Sequence, residues 1–169
     1  GDPTSFETQV GPVTNIPQYE KVLDYIEVAK AEGAEVALGG GTPSGPEIGE
    51  GWFVEPTIFT GVKNDMRIAQ EEVFGPVLSV LKFSSDTDAI KIANGTPYGL
   101  VGGVFTRNLD RATTAARKLR AGQVFVNEWY AGGVETPFGG YGKSGYGREK
   151  GREALWNYVQ TKNVAIKLG

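Results

Sequence analysis

The sequence contains no cysteine and no histidine. Without cysteine there is no disulfide framework and no cysteine nucleophile, and without both residues there is no Cys/His zinc site. The missing histidine also excludes a Ser/His/Asp triad. Any catalysis by this chain must therefore use carboxylates, lysine, tyrosine or a cofactor, or residues supplied from elsewhere. We predict no metal site.

Positive charge and long apolar runs are also scarce. Lysine and arginine number 17 against 20 aspartates and glutamates, a net charge of −3, so no broad positive field draws in nucleic acid or anionic lipid. No apolar run approaches the roughly 20 residues that span a bilayer, and residues 1–4 do not resemble a signal segment. We expect a cytoplasmic chain without nucleic-acid or membrane partners. Since it starts at Gly1 and not at methionine, we also expect a fragment.

The elements that are present indicate an α/β fold. Apolar residues recur at helical spacing from Pro17 and stop before Gly33, which predicts an amphipathic helix. Strand and helix patterns then alternate from about Val77 to Asn127, as in βαβ units with a largely parallel sheet. The predicted strands are 34–38, 52–60, 77–83, 100–106 and 123–127, with a loop at 39–51. The predicted N-caps are Ser85 or Asp86, and Asn108.

The last part of the chain predicts a terminal strand. A glycine-rich segment fills residues 131–147, and a helix is predicted around Glu149–Asn157. Val164, Ile166 and Leu168 then alternate with other residues, which predicts a strand over 159–168. A strand at a chain end needs a partner edge, and a second subunit can provide one.

Three candidate binding positions follow from residue type. Glu71 and Glu72 precede a Gly-Pro turn and a predicted strand, where a carboxylate can accept hydrogen bonds from the two hydroxyls of a ribose; a solvated helix face is the alternative. Trp129 and Tyr130 follow a strand end, where ligand sites of α/β proteins lie, although they can equally cover the core. Phe138 is either core or pocket wall.

The glycines of GGYGKSGYG, residues 139–147, match a dinucleotide fingerprint only formally, because no strand directly precedes them and no acidic residue follows at the expected distance. Gly142, Lys143 and Ser144 also end a Walker A pattern, but Pro137 stands where its first glycine must be. A glycine-rich turn that passes close to another backbone or a ligand is the favoured interpretation.

Several segments taken together resemble the aldehyde dehydrogenase superfamily. They are EEVFGPV (71–77), TPYGLVGGVFT (96–106), GQVFVN (122–127) and PFGGYGKSGYGRE (137–149), in the family's order. The resemblance covers nearly the whole chain, and it implies the C-terminal part of an NAD(P)-dependent enzyme. Residues 1–158 would form part of the catalytic domain, and residues 159–169 the terminal strand of an oligomerisation sheet in a homo-oligomer.

The resemblance also assigns roles to single residues. Glu72 would bind the hydroxyls of the nicotinamide ribose of NAD or NADP, Phe74 would pack beside the nicotinamide, and Glu71 would not be a ligand. Phe138 would line the aldehyde pocket. The loop 128–135 would shape the mouth of that pocket, and its named members are Trp129, Tyr130 and Gly132.

The family mechanism is covalent: a cysteine thiolate attacks the aldehyde, hydride passes to NAD(P), and a glutamate-activated water hydrolyses the thioester. This chain would hold no catalytic residue, and because it lacks cysteine it should be inactive alone. A non-catalytic assembly or binding module that kept the fold is the alternative. A phosphate binder built on the glycine-rich loop is a third hypothesis.

Overall fold

The computed structural model describes residues 1–45, 48, 51–130 and 132–169, so parts of the predicted loops 39–51 and 128–135 lie outside the described residues. The chain divides into two compact units, Gly1–Ser84 and Ser85–Gly169. No described helix combines the length and the apolar character that a membrane span requires.

The first unit is a three-stranded sheet packed against one long helix. Its elements are α1 (Ile16–Ala31), β1 (Glu35–Leu38), β2 (Thr57–Thr60), α2 (Arg67–Gln70) and β3 (Val77–Ser79). The strand order is β1-β2-β3, with β1 antiparallel and β3 parallel to β2. Val22, Ile26 and Ala29 of α1 are buried in one cluster with Phe59 of β2. This core fixes α1, which begins and ends close to its predicted bounds.

The second unit contains a βαβ arrangement. Its elements are α3 (Asp86–Ala93), β4 (Val101–Val104), α4 (Leu109–Lys118) and β5 (Gln123–Val126). β4 and β5 pair in parallel, and α4 between them packs on both strands. Both predicted N-caps are confirmed: Ser85 Oγ accepts from the Asp88 N–H at 3.2 Å, and Asn108 Oδ1 from the Arg111 N–H at 2.9 Å. The α/β prediction is likewise confirmed.

Three predicted elements need correction, and the first is the strand predicted over 77–83, which ends at Ser79. The strand predicted over 52–60 starts only at Thr57, because Pro56 offers no N–H to a ladder. The helix predicted around Glu149–Asn157 is a short 3-10 helix, Glu153–Tyr158; Lys150 has a φ of 57°, which an α-helix does not accommodate. Residues 159–169, all described, form no strand within this chain, because none of the described strands pairs with them; a strand that pairs with a second subunit stays a prediction.

Candidate functional site

Glu72 lies on the segment that joins α2 to β3. Its side chain is exposed, and its carboxylate makes no hydrogen bond to any residue that the structure describes. The backbone is held instead, because Lys21 Nζ donates to the Glu72 carbonyl at 2.8 Å. Because the backbone is fixed and the carboxylate is uncommitted, the carboxylate can accept hydrogen bonds from a bound molecule such as a diol.

Glu71 is committed to the protein itself. Its carboxylate accepts from the Tyr25 hydroxyl at 2.6 Å and from Arg67 Nη2 at 2.8 Å. The hydrogen bond to Glu71 raises the pKa of the Tyr25 hydroxyl above the ordinary value of 10.0, with burial adding to the effect. The same carboxylate raises the pKa of Arg67. Of two adjacent glutamates, one therefore braces the loop and the other faces outward.

A titration tests this contact. We expect Tyr25 to ionise above pH 10.0. The absorbance of tyrosinate is measured against pH for the chain and for Tyr25→Phe, and the difference between the two curves is the titration of Tyr25. Because folding raises the pKa of Tyr25, the Tyr25 hydroxyl adds to the free energy of unfolding below pH 10.0. This contribution is lost as the pH rises through the pKa that Tyr25 has in the folded chain. A midpoint at or below 10.0 would contradict the contact.

Phe74 has a φ of 54°, the left-handed region that bulky side chains avoid at about 1–2 kcal/mol. Gln18 Nε2 donates to the carbonyls of both Val73 and Phe74 at 2.9 Å. At about 1 kcal/mol each, two such bonds match the backbone strain. Phe74 remains 75% exposed. Its aromatic ring is therefore open to a bound molecule, on the same segment that carries Glu72.

In the second unit, Asn127 fixes the start of the loop that carries Trp129 and Tyr130. Asn127 has a φ of 57°, which asparagine tolerates. Its Nδ2 donates to the Thr106 carbonyl at 2.8 Å, and its Oδ1 accepts from the Thr106 N–H at 2.7 Å. The side chain thus extends the pairing of β4 and β5 by one step and sets the direction of the loop.

Trp129 and Tyr130 pack together on Phe125. The Phe125 ring centroid lies 5.9 Å from that of Trp129 and 6.4 Å from that of Tyr130. Trp129 also covers the bare backbone of β4, because a Cβ on Gly103 would come within 2.8 Å of its Cζ3 atom. Tyr130 has a φ of 68° and remains 65% exposed. Gly132, also exposed, continues the loop with a φ of 101°.

Phe138 is half-buried and separately anchored. Its N–H and carbonyl both pair with the backbone of Glu149 at 2.7 Å, and Lys150 Nζ lies 5.7 Å from its ring centroid. It lines an open depression of about 450 Å³ whose other walls include Leu100, Arg148 and Asn157. The structure thus places Phe138 at a concave surface, and Trp129 and Tyr130 at an aromatic cluster around Phe125. Glu72 and Phe74 belong to the other unit.

In the glycine-rich turn, the amides that would complete a phosphate cradle at Lys143, Ser144 and Gly145 are occupied by the protein itself. The N–H of Lys143 donates to Pro97, that of Ser144 to Tyr141 and that of Gly145 to Gly142. A phosphate loop needs such donors to point at the ligand, and here carbonyl oxygens of the protein occupy them. The predicted close passage to other backbone is what the structure shows, and the phosphate-binder hypothesis loses its geometric basis.

Sequence reasoning missed Gln18, Lys21 and Tyr25, which hold the segment 71–74 from α1. A signal existed, since their spacing of i, i+3 and i+7 puts them on one helical face beside the buried Val22. The sequence does not say what that face meets.

Comparison with known proteins identifies the family. The sequence matches the model of the aldehyde dehydrogenase family over residues 1–164. The chain belongs to the aldehyde dehydrogenase family. A betaine aldehyde dehydrogenase of Brucella anthropi is 49% identical over 169 residues, which cover 100% of this chain and 35% of that aldehyde dehydrogenase. Aldehyde dehydrogenase 1 of Tanacetum cinerariifolium is 51% identical over 168 residues, or 99% of this chain and 33% of that protein.

Solved aldehyde dehydrogenase structures show the same fold. An indole-3-acetaldehyde dehydrogenase in complex with NAD+ superposes with a TM-score of 0.89 at 49% identity, covering 96% of this chain and 32% of that one. The Staphylococcus aureus betaine aldehyde dehydrogenase in complex with NAD+ gives a TM-score of 0.88 at 43% identity, covering 91% and 31%. This chain spans about a third of the length of the curated aldehyde dehydrogenases it matches.

Proposed function

We propose that the chain is the C-terminal part of an NAD(P)-dependent aldehyde dehydrogenase that oxidises an aldehyde to a carboxylic acid. Residues 1–158 would belong to its catalytic domain, and residues 159–169 to a strand that joins subunits. The observation that carries the proposal is the exposed Glu72 carboxylate, which no described residue engages, on a backbone held by α1. The NAD+ complexes of similar structures support NAD+ as the nucleotide.

The residues present fit a nicotinamide nucleotide. The Glu72 carboxylate would accept from the two ribose hydroxyls, and the exposed ring of Phe74 would lie beside the nicotinamide. The bound nucleotide would supply the hydride acceptor. Phe138, with Trp129, Tyr130 and Gly132, would line the aldehyde pocket and exclude water from it. The reacting thiol must come from outside these residues, because the chain has no cysteine.

The test compares the full-length protein with the 169-residue chain. We expect aldehyde-dependent reduction of NAD+ or NADP+ by the full-length protein and none by the chain alone. Running both nucleotides with aliphatic, aromatic and trimethylammonium aldehydes identifies the substrate class. A full-length protein that binds nucleotide but reduces none with any aldehyde would favour a non-catalytic assembly or binding module.

The role of Glu72 has its own prediction. We expect Glu72→Gln in the full-length protein to raise the KM for the nucleotide about tenfold, or about 1.4 kcal/mol, because an amide oxygen replaces a charged acceptor. Initial rates at varied nucleotide concentration measure this change. Glu20→Gln makes the same change of charge on the exposed side of α1 and should leave the KM within about twofold. Equal KM values for the two variants would refute the ribose contact.

A further inference from the structure

We propose that Gln18, Lys21 and Tyr25 form a loop clamp, a polar face of α1 that positions Glu72 and Phe74 for the nucleotide without touching it. The inference rests on the proposed function and deepens it. The three residues act on four consecutive residues of the segment 71–74: Tyr25 on Glu71, Lys21 on Glu72, and Gln18 on the two that follow.

The order of these contacts follows from helix geometry. Positions 18, 21 and 25 lie on one face of α1, so a segment that runs along the helix meets them in turn. Tyr25 holds the side chain of Glu71 at 2.6 Å, and Lys21 holds the carbonyl of Glu72 at 2.8 Å. The clamp holds the Glu71 side chain on one side of Glu72 and the carbonyls of residues 72–74 on the other, and it leaves the Glu72 carboxylate uncommitted.

Gln18 has the central position in the clamp. One amide nitrogen donates to two successive carbonyls, those of Val73 and Phe74, at 2.9 Å each. In an extended chain successive carbonyls point to opposite sides, whereas a residue in the left-handed region turns them toward the same side. Phe74 is such a residue, with a φ of 54°. Gln18 therefore selects the backbone conformation that directs the Phe74 ring.

Both ends of the clamped segment are anchored, so the clamp acts on a short and stiff piece of chain. On the N-terminal side, Arg67 ties Glu71 to α2 at 2.8 Å. On the C-terminal side, the Thr57 N–H of β2 donates to the Pro76 carbonyl at 2.8 Å. α1 itself is set by the buried Val22 and Ile26. Gln18 is thus a positioning residue, supported by a rigid helix.

The experiment uses two substitutions of Gln18 in the full-length protein. Gln18→Met keeps the length of the side chain and removes both donors. Gln18→Glu keeps the shape and places a carboxylate against two carbonyl oxygens. If Gln18 acts only by packing, Gln18→Glu should behave like the parent. If Gln18 acts as a clamp, Gln18→Glu should impair nucleotide binding more than Gln18→Met does. Gln9→Met and Gln9→Glu repeat both changes at an exposed position and serve as matched controls.

We expect the KM for the nucleotide to rise about fivefold in Gln18→Met and more than about tenfold in Gln18→Glu. The KM for the aldehyde and the kcat at saturating nucleotide should stay within about twofold of the parent, and the Gln9 variants should match the parent. Lys21→Met, which removes one bond from the clamp, should raise the nucleotide KM by a smaller factor. Nucleotide KM values of the Gln18 variants equal to those of the Gln9 variants would overturn the clamp.

A double-mutant cycle separates positioning from general destabilisation. If Gln18 acts through Glu72, the effect of Gln18→Met should shrink to less than about threefold in a Glu72→Gln background. Two results would overturn the clamp while leaving the ribose contact intact. One is that the effects of Gln18→Met and Glu72→Gln on the nucleotide KM multiply fully; the other is that Gln18→Met raises both KM values and lowers kcat and Tm together. If Glu72→Gln alone changes nothing, the proposed function of Glu72 fails, whatever the Gln18 variants do.

Discussion

Replacing Gly122 with alanine is expected to destabilise the unit Ser85–Gly169 by at least about 3 kcal/mol, the upper range of overpacking costs. A Cβ on Gly122 would overlap the carbonyl oxygen of Gly139 and lie 2.8 Å from its carbonyl carbon. Both are backbone atoms, so no rotamer change can relieve the contact. Phe138 precedes Gly139 directly, and we expect its segment to be displaced as well.

Amide hydrogen exchange in α4 and β5 measures the effect on this unit alone. Gly147→Ala is the matched control: it adds the same methyl group where no described atom beyond the neighbouring residues of the chain lies within 4 Å, and it should change the free energy of unfolding by less than about 1 kcal/mol. If the amides of α4 are equally protected from exchange in the two variants, residues 122 and 139 do not approach each other closely in solution.

The second large effect is expected for Phe59→Ala in the other unit. Phe59 is fully buried on β2 and belongs to the cluster that holds Val22 and Ile26 of α1. Removing a buried phenyl ring costs about 3–5 kcal/mol, because the cavity collapses only in part. The expected result is a loss of that size in the protection of the amides of α1 and β2.

The loss of amide protection should extend to the segment that the loop clamp holds, because Gln18 lies on α1 and α1 packs on Phe59. We therefore expect the Phe59→Ala chain to exchange the amides of residues 71–75 faster than the parent. Phe6→Ala removes the same ring from a side chain that is fully exposed in this chain and should cost less than about 0.5 kcal/mol. Equal stability of the two variants would mean that the first unit has no packed core around β2.

Features that depend on near neighbours in sequence could be predicted from the sequence. Ser85 and Asn108 cap helices through bonds to residues three positions later, so a short pattern contains the whole interaction. The α1 bounds follow from apolar spacing in the same way. The family motifs in residues 71–77 and 137–149 placed Glu72, Phe74 and Phe138 as candidates, and the family itself is confirmed.

The remaining features depend on contacts between distant residues. Gln18 meets Val73 across 55 positions, and Asn127 meets Thr106 across 21. Whether a polar helix face meets solvent or a loop depends on how helix and sheet pack, which periodicity does not contain. The strand predicted over 159–168 depends on a contact of the same kind, since its pattern supplies one side of a pairing and the other side must come from elsewhere, so it stays a prediction.

The sequence by itself determined the absence of a thiol, the α/β class, the helix caps and the family, because each depends on composition or on residues a few positions apart. Only the tertiary structure decided which of two adjacent glutamates faces outward, since Tyr25 and Arg67 engage Glu71 and leave Glu72 uncommitted by the described residues. It also decided that the glycine-rich turn packs on backbone, because the amides of Tyr141 and Lys143 donate to the carbonyls of Gly99 and Pro97. Both outcomes depend on long-range packing, which brings together groups that the sequence keeps apart.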